Sequence, residues 1–235
     1  MTFFHNMSTA IIILTLNEID GMRKVVPKIK KEWADEIIIV DGGSTDGTIE
    51  EAQKMGFKIV QQKIKGHGAA ILEGVNATSS DNVVIFGPDG NHEPEEIPTL
   101  IDKINSYDQV LISRFGKGSV NLDAGLMDTF GNKMFAFLTN VFFGGHWTDS
   151  LNESRIITRK AFLELNFDAL QMGSTQQMSI RGLKKRQKIL ELVGNEGERI
   201  GGKRKMRPFH VGYDLSRQIL HEFIFWNKKS PQHNR

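Results

Sequence analysis

The feature that most constrains this chain is a short apolar run that ends in an acid and two glycines. Residues 37–40 read Ile-Ile-Ile-Val, and Asp41, Gly42 and Gly43 follow them. A continuous β-branched run is typical of a central parallel strand that is covered on both faces. The glycines permit a sharp turn, and the Ser-Thr pair after them can cap a helix. We therefore predict a strand, a turn and a helix, with Asp41 at the edge where open α/β sheets bind ligands, although the same turn could serve folding alone.

Strand-like and helix-like segments alternate along most of the chain. This order predicts an α/β fold with a Rossmann-like, mostly parallel, doubly wound central sheet flanked by helices. The 235 residues suffice for one large domain. We expect a poorly ordered N-terminus over residues 1–9, a single domain over 10–212, and a C-terminal amphipathic helix and tail over 213–235. The predicted strands cover residues 10–14, 37–40, 57–61, 82–86, 108–112 and 189–193, and the predicted helices cover 48–55, 68–77, 125–143, 174–186 and 213–226.

Composition narrows the classes of function. Thirty Lys and Arg against 28 Asp and Glu leave a formal charge of +2, so no global field attracts nucleic acid. The absence of cysteine excludes disulfides, zinc-thiolate sites and thiol catalysis. No run approaches the ~20 apolar residues of a membrane-spanning helix, and the first eight residues lack the hydrophobic region of a signal peptide. We therefore expect a cytoplasmic protein.

Residues 40–48, Val-Asp-Gly-Gly-Ser-Thr-Asp-Gly-Thr, resemble the signature of family 2 glycosyltransferases, which have the GT-A fold. The resemblance implies that Asp41 contacts the base or ribose of a nucleotide sugar, with Gly43 and Ser44 beside it. The commoner form of the signature has a second acid where this chain has Gly42.

A second loop, which follows the first predicted strand, is similar to the first nucleotide-binding loop of that family. It consists of Thr15, Leu16, Asn17 and Glu18. Asn17 could also cap the next helix, whose length stays open because Pro27 falls inside the helical pattern. The capping role and the nucleotide-binding role are compatible.

A third loop, residues 65–70, opens a predicted helix with two glycines. A glycine-rich helix start presents backbone N–H groups to an anion. In the family the comparable segment borders the nucleotide, which implies that Lys65 and Gly66 contact it. His67 by itself is interpreted as a surface turn residue.

The turn after the strand at 82–86 falls where the family carries its metal-binding Asp-x-Asp. Aligned on Pro94, Asp89 matches the second acid and Asn91 a further ligand position, whereas Gly87 occupies the place of the first acid. The resemblance implies that Asp89 and Asn91 hold Mg²⁺ or Mn²⁺, hard cations that take oxygen ligands and bridge a diphosphate. A capped turn without metal is the alternative.

The acceptor side is predicted from two segments. Arg114 matches a family arginine that faces phosphate, and residues 148–155 resemble the acceptor segment of polyprenyl-phosphate sugar synthases at Asp149, Ser150 and Arg155. Positions 152–153 read Asn-Glu where family members commonly carry Ser/Thr-Gly. Asp149 could be the base that deprotonates a hydroxyl acceptor. A phosphate acceptor is already an anion and needs no base, so the class of acceptor stays open.

The basic segment at residues 199–205 resembles the Arg-x-x-Gly-x-Ser-Lys loop of dolichyl-phosphate mannose synthases. Arg199, Gly202 and Lys205 match, and Arg204 replaces the serine. We expect Arg199 and Lys205 to neutralise the donor phosphates and Arg204 to contact the acceptor phosphate, because charge-assisted hydrogen bonds suit phosphate oxygens.

Two predicted helices are amphipathic. In residues 125–143 an apolar stripe runs through Phe130, Phe137 and Phe142, and in residues 213–226 a second stripe ends at Trp226. Each stripe could pack in the core, or it could contact a membrane surface or a lipid chain.

These segments together predict an inverting transferase that moves a hexose from a nucleotide sugar of the GDP-mannose or UDP-glucose type to a polyprenyl or dolichyl phosphate at the cytosolic face of a membrane. Peripheral contact with the membrane, or with a membrane subunit, would follow. Alternatives are a hydroxyl acceptor, either a soluble sugar or a lipopolysaccharide, and a non-catalytic nucleotide-sugar-binding subunit. The residues assigned to catalysis are Asp89, Arg114, Asp149, Arg199 and Lys205.

Overall fold

Seven strands form one central sheet in the computed structural model, which describes residues 7–200 and 208–225. Their order across the sheet is β3-β2-β1-β4-β6-β5-β7. β6 runs antiparallel to its neighbours β4 and β5, and the other strands are parallel. The predicted α/β architecture with a mostly parallel sheet is confirmed. The strands are β1 (Thr9–Thr15), β2 (Glu36–Asp41), β3 (Lys58–Gln61), β4 (Asn82–Phe86), β5 (Gln109–Ser113), β6 (Arg155–Thr158) and β7 (Ile189–Val193).

Helices cover both faces of this sheet. Side chains of α1, α2 and α4 belong to one core cluster, and side chains of α3, α6 and α7 belong to another on the opposite face. Short 3-10 turns occur at Val26–Lys28, Lys31–Trp33 and Pro94–Glu96. The helices are α1 (Ile19–Lys24), α2 (Thr48–Lys54), α3 (His67–Asn76), α4 (Ile97–Ile104), α5 (Leu126–Phe143), α6 (Arg159–Glu164), α7 (Ser174–Lys184) and α8 (Pro208–Phe225).

Alternation along the central strands divides the core in two. In β1, Ile11 and Ile13 pack in the first cluster and Ile12 packs in the second. In β2, Ile39 faces the first cluster and Ile38 the second. Because successive side chains of a strand point to opposite faces, a strand buried on both sides must be apolar throughout. This requirement explains the continuous run of residues 37–40.

β6 is a strand that the sequence did not predict, and no bounds were predicted for α4 and α6. β6 begins at Arg155, within the segment assigned to the acceptor, and it inserts between β4 and β5. Only two isoleucines of this four-residue strand are apolar. So short a segment shows no hydrophobic periodicity that would predict a strand. Its strand conformation comes from pairing with both neighbouring strands.

Several element boundaries differ from the prediction. α1 ends at Lys24, and a 3-10 turn accommodates Pro27, because proline cannot donate the backbone hydrogen bond of a helix interior. β1 begins at Thr9, and α8 begins at Pro208 rather than at residue 213. Residues 1–6, 201–207 and 226–235, which include the predicted Gly202, Arg204, Lys205 and Trp226, lie outside the described residues.

The two amphipathic helices, α5 and α8, pack against each other at the edge of the cavity described below. Phe135 of α5 is buried with Leu215 and Ile219 of α8. Phe130 and Phe137 instead are 69% and 63% exposed, so most of the predicted stripe of α5 faces outward and only its flank enters the core. Among the described residues, no helix combines the length and the apolar content that crossing a bilayer requires.

Candidate active site

A cavity of ≈ 870 Å³ opens at the carboxyl ends of the parallel strands. Its size falls within the roughly 300–1,000 Å³ typical of ligand pockets. The structure brings ten of the predicted site residues to its wall, and six others are not among the residues that line it: Asn17, Asp41, Ser44, Asp149, Ser150 and Arg155. The ten are Thr15, Leu16, Glu18, Gly43, Lys65, Gly66, Asp89, Asn91, Arg114 and Arg199.

Asp41 holds the turn that follows β2. Its Oδ1 accepts the backbone N–H groups of Gly43 and Ser44, each at 2.8 Å, and its Oδ2 accepts the hydroxyls of Thr15 at 2.9 Å and Ser44 at 2.5 Å. The side chain is enclosed, since Asp41 is 1% exposed. The expected contact of this carboxylate with a nucleoside stays a prediction, and in this structure Gly42 and Gly43 line the cavity beside it.

The first predicted nucleotide loop is tied to this turn by reciprocal hydrogen bonds. The backbone N–H of Asn17 donates to Ser44 Oγ, and the backbone N–H of Thr45 donates to Asn17 Oδ1, each at 2.8 Å. Asn17 is also in the left-handed region, with φ of 53°, which asparagine tolerates better than most residues. Asn17 and Ser44 thus fix the two loops to each other, while Thr15, Leu16 and Glu18 reach the cavity.

Asp89 lies on the turn after β4 and faces the cavity. Its Oδ2 is 2.8 Å from the guanidinium of Arg199, and its Oδ1 accepts the backbone N–H of Asn91 at 3.2 Å. The backbone N–H of Ile200 donates to the Asp89 carbonyl at 3.0 Å, and that of Gly197 donates to the Asn91 carbonyl. The 195–200 segment therefore packs on this turn, and it places Arg199 beside the acid.

The oxygens at this turn fit a hard divalent cation. Asn91 is buried and donates its amide N–H to Asp123 at 3.0 Å, whereas its Oδ1 has no hydrogen-bond partner among the described residues. A buried acceptor left open in this way is available to a ligand. The Asp89 carboxylate and the Asn91 amide oxygen are ligand types that Mg²⁺ and Mn²⁺ accept. No group of three or more His, Asp and Glu in the described part of the chain would hold a metal alone, so a cation bound here would need further oxygens from a substrate.

Arg114 is neutralised by two buried carboxylates. Its Nε and Nη2 donate to Asp149 at 2.7 and 3.2 Å, and its Nη1 donates to Glu196 at 3.0 Å. Burial lowers the pKa of the Arg114 guanidinium, but the two carboxylates outweigh burial and hold it above its ordinary value. Arg114 lines the cavity as the centre of this triad, so any phosphate would compete with Asp149 and Glu196 for it.

Asp149, Ser150 and Arg155 lie inside the protein. All three are 0% exposed. The Arg155 guanidinium donates to the Asn152 carbonyl and to Ser179, and its burial lowers its pKa to about 10. These residues hold the segment before β6 in place, and the contact of Ser150 and Arg155 with an acceptor phosphate stays a prediction.

A histidine–glutamate pair was missed by the sequence reasoning. Glu153 Oε2 lies 2.5 Å from His67 Nε2, and His67 Nδ1 lies 2.8 Å from Ser174 Oγ. A second histidine, His92, has its Nε2 3.9 Å from Glu153 Oε1. Burial would raise the pKa of Glu153, but the hydrogen bond and charge of His67, with His92 and Arg114, lower it to about 2. His67 is therefore part of the cavity wall rather than a surface turn residue, and its partner is 86 positions away.

The described part of the cavity wall is acidic. Among the described lining residues, six carboxylates against three Lys or Arg side chains give a formal charge of −3, with His neutral. Such a wall repels a diphosphate unless cations accompany it. The carboxylates are Glu18, Asp89, Asp123, Asp128, Glu153 and Glu196, and the cations are Lys65, Arg114 and Arg199.

Comparison with known proteins gives a consistent picture. Residues 10–165 match the family model described as glycosyl transferase family 2. The chain is 28% identical to the dolichyl-phosphate hexose transferase of Haloferax volcanii, over 94% of this chain and 96% of that protein. It is 28% identical to glycosyltransferase AglJ of the same organism, over 75% of this chain but only 60% of the relative.

Solved structures share the fold. Glucosyl-3-phosphoglycerate synthase from Mycobacterium tuberculosis, in complex with Mn²⁺, uridine diphosphate and glucosyl-3-phosphoglycerate, superposes with a TM-score of 0.75. The alignment covers 92% of this chain and 80% of that chain at 20% identity. At that identity the similarity supports a common architecture, and the chemistry has to be argued from the site.

Proposed function

Since this chain belongs to glycosyl transferase family 2 and is a glycosyltransferase with the GT-A fold, we propose that it transfers one hexose from a nucleotide sugar to a polyprenyl or dolichyl phosphate. The donor would be of the GDP-mannose or UDP-glucose type, and the anomeric configuration would invert. The reaction would take place at the cytosolic face of a membrane.

The observation that carries this proposal is that the cavity has a polar part and an apolar part. One end is lined by the glycine backbone of the Asp41 turn and by Asp89 and Asn91. Another part of the wall comes from α5 and α8 and includes the apolar side chains of Phe130 and Leu215. A nucleoside diphosphate suits the polar end, whereas an apolar wall suits the first units of a polyprenyl chain.

A phosphate acceptor also agrees with the burial of Asp149. A general base must reach the proton that it removes, but Asp149 is 0% exposed and bound by Arg114 through both carboxylate oxygens. An acceptor phosphate is a nucleophile without proton removal. The dolichyl-phosphate hexose transferase similar over 94% of this chain has a name that includes such an acceptor.

Asp89 and the Asn91 amide oxygen would hold a divalent cation together with the donor diphosphate. Mn²⁺ accompanies uridine diphosphate in the mycobacterial synthase. Such a cation supplies positive charge to the leaving diphosphate. It would also offset the acidic wall of the cavity.

In the transfer itself, an oxygen of the acceptor phosphate forms a bond to the anomeric carbon. The bond from that carbon to the diphosphate oxygen breaks, and the nucleoside diphosphate leaves with the electron pair. The residues of this chain would bind and orient the two substrates. Arg199, now paired with Asp89, is placed to exchange that carboxylate for a phosphate oxygen, and the predicted Lys205 would add a second charge.

The exposed apolar faces of α5 and α8 would rest on the lipid surface that carries the acceptor. Phe142 of α5 and Phe223 of α8 stack edge to face, with ring centroids 5.3 Å apart, and both are exposed. Exposed apolar patches of this kind mark interaction surfaces. The surface is continuous with the apolar wall of the cavity through Phe130, so a polyprenyl chain could pass from the bilayer into the site.

The test is an acceptor panel. Purified protein is incubated with labelled GDP-mannose or UDP-glucose, Mn²⁺, and either polyprenyl phosphate in vesicles or soluble sugars. We expect label in the organic extract only when polyprenyl phosphate is present. Label found only in a soluble sugar product would instead identify a hydroxyl acceptor, and label released as free sugar in every arm would reject the proposal.

The membrane contact has a separate test. Replacing Phe130 and Phe137 with serine should weaken binding to vesicles about tenfold or more, because burying one such side chain contributes roughly 1.5–3 kcal/mol. Leu163→Ser is the matched control, since Leu163 is 56% exposed on α6. Vesicle flotation measures the effect. Equal binding of the Phe variant and the wild type would contradict the proposed contact.

A further inference from the structure

Two departures from the family motifs meet at one point in the cavity. Gly87 stands where the motif has its first acid, and Glu153 stands where the acceptor segment commonly has glycine. A Cβ atom added at Gly87 would lie 2.1 Å from Glu153 Oε1. No two such atoms fit at this distance, so a side chain at position 87 requires the Glu153 carboxylate, the end of a flexible side chain, to leave its present position. The Glu153 carboxylate therefore occupies the space in which a side chain at position 87 would begin.

The Glu153 carboxylate is held at one oxygen and open at the other. Oε2 is bound to His67, which is anchored by Ser174. Oε1 is 3.9 Å from His92 Nε2, beyond hydrogen-bond distance, and it lies over Gly87. Glu153 lines the same cavity as Asp89 and Asn91. An anchored carboxylate with one free oxygen is the arrangement of a metal-ligating acid with its supporting partner.

We propose that Glu153 is a ligand of the divalent cation at this site and supplies the carboxylate that Gly87 lacks. Asp89, Glu153 and the Asn91 amide oxygen would then face the donor diphosphate. His67 acts as a positioning residue, because it binds the oxygen of Glu153 that is not offered to the cation. This inference rests on the proposed function only in that the diphosphate of a nucleotide sugar completes the coordination.

The alternative is that Glu153 only satisfies His67 and His92 in the wall of the cavity. Binding of Mn²⁺ separates the two roles without any turnover. Free Mn²⁺ is measured by its electron paramagnetic resonance signal, with UDP and with GDP present in separate titrations. We expect Glu153→Gln to weaken Mn²⁺ binding at least about tenfold, since loss of a supporting residue alone typically costs about 10- to 100-fold. Glu50→Gln removes the same charge from an exposed position on α2 and should leave the affinity within about threefold.

An exchange of the two positions is the sharper test. Glu153→Gly should lose the affinity, and Gly87→Asp alone should displace the Glu153 carboxylate, because its Cβ would lie 2.1 Å from the present position of Oε1. The double variant Gly87→Asp/Glu153→Gly should recover most of the Mn²⁺ affinity, because it returns one carboxylate to the same space. Thermal melts identify variants that fail to fold, and Glu153→Gln, which keeps the size of the side chain, decides the question if Glu153→Gly does not fold.

Either of two results would overturn the inference. One is wild-type Mn²⁺ affinity in folded Glu153→Gln, and the other is a folded double variant that binds no better than Glu153→Gly. The outcome is independent of the acceptor. If the exchange restores Mn²⁺ binding but no label enters polyprenyl phosphate, the proposed function fails and the role of Glu153 stands.

Discussion

Two acids, Asp41 and Asp89, follow strands at the same edge of the sheet, and their surroundings differ. Asp41 follows β2 and accepts four hydrogen bonds from its own turn and from Thr15, and it is 1% exposed. Asp89 follows β4, accepts one backbone hydrogen bond from its turn and reaches the cavity, where it pairs with Arg199. The acid in the more recognisable motif is therefore the enclosed one.

The difference lies in the donors that each turn provides. The Asp41 carboxylate accepts two backbone N–H groups and the Ser44 hydroxyl from its own turn and a second hydroxyl from Thr15 of β1, which enclose it. The Asp89 carboxylate accepts only one backbone N–H from its turn, and its other oxygen pairs with Arg199 at the cavity wall. A carboxylate has a limited number of acceptor sites. The number of hydrogen-bond donors that surround a strand-end acid inside the protein therefore determines whether its carboxylate is available to a ligand.

The largest effect should follow from Asp89→Ala. Loss of the carboxylate that would face the cation and diphosphate should lower transfer about 10³-fold, equivalent to about 4 kcal/mol of barrier. Metal-dependent donor binding should be lost, while the free energy of unfolding changes by about 1 kcal/mol or less, because the side chain is partly exposed. Calorimetric titration with the nucleotide sugar and Mn²⁺ measures the binding. Unchanged donor affinity would contradict the assignment of Asp89.

Asp41→Ala should show the reverse pattern. Two backbone N–H groups and two hydroxyls would lose a charged acceptor inside the protein, and hydrogen bonds to charged groups contribute about 1.5–3 kcal/mol each. We expect the free energy of unfolding to fall by about 3 kcal/mol or more in urea denaturation. The fraction that remains folded should still bind donor. A stable Asp41→Ala variant with abolished donor binding would instead make Asp41 a direct ligand.

The two turns should also respond to pH in opposite directions. Near the Asp89 turn, burial raises the pKa of Glu96 to about 7, and the hydrogen bond from the Asn195 backbone only partly offsets that increase. The folded state then binds more protons than the unfolded state between about pH 4.5 and 7, so stability falls as pH rises through this window. Each pH unit in this window can lower the free energy of unfolding by at most about 1.36 kcal/mol. We expect a total loss below that limit, of about 2 kcal/mol.

Glu96→Gln should remove that loss, because an amide does not ionise. Urea denaturation at pH 5 and pH 8 checks the difference between the variant and the wild type. In the Asp41 turn, burial raises the pKa of Asp46, but hydrogen bonds from Thr48 and Ile19 outweigh burial and lower it. Its contribution is therefore present at neutral pH and lost only in acid. An identical pH dependence of unfolding in wild type and Glu96→Gln would exclude Glu96 as the source.

The elements that could be predicted are those with a local pattern. The apolar runs of β1, β2 and β4, with the polar turns that follow them, predicted the correct sheet type and the correct edge for the cavity. The helix over residues 125–143 was also placed within one residue at its start. The sequence did not determine what the apolar face of this helix contacts, because Phe130 and Phe137 have the same spacing whether they pack in a core, contact lipid or face solvent.

The site partners could not be predicted because they are distant in sequence. Arg114 and Asp149 are 35 positions apart, and His67 and Glu153 are 86 apart. β6 brings the segment before it into the middle of the sheet, and this insertion aligns Glu153 with Gly87. One signal was present in the sequence: an acid was missing at position 87 and another was added at position 153.

The sequence by itself determined the family, the layered α/β architecture and the set of polar residues at the strand ends, because these depend on contiguous patterns of apolar and turn residues. Only the tertiary structure decided which of those residues face the cavity, since that depends on the donors and charges that distant segments bring to each side chain. Asp41 was enclosed by its neighbours, Arg114 was neutralised, and Glu153 was placed over a glycine that has no side chain to oppose it.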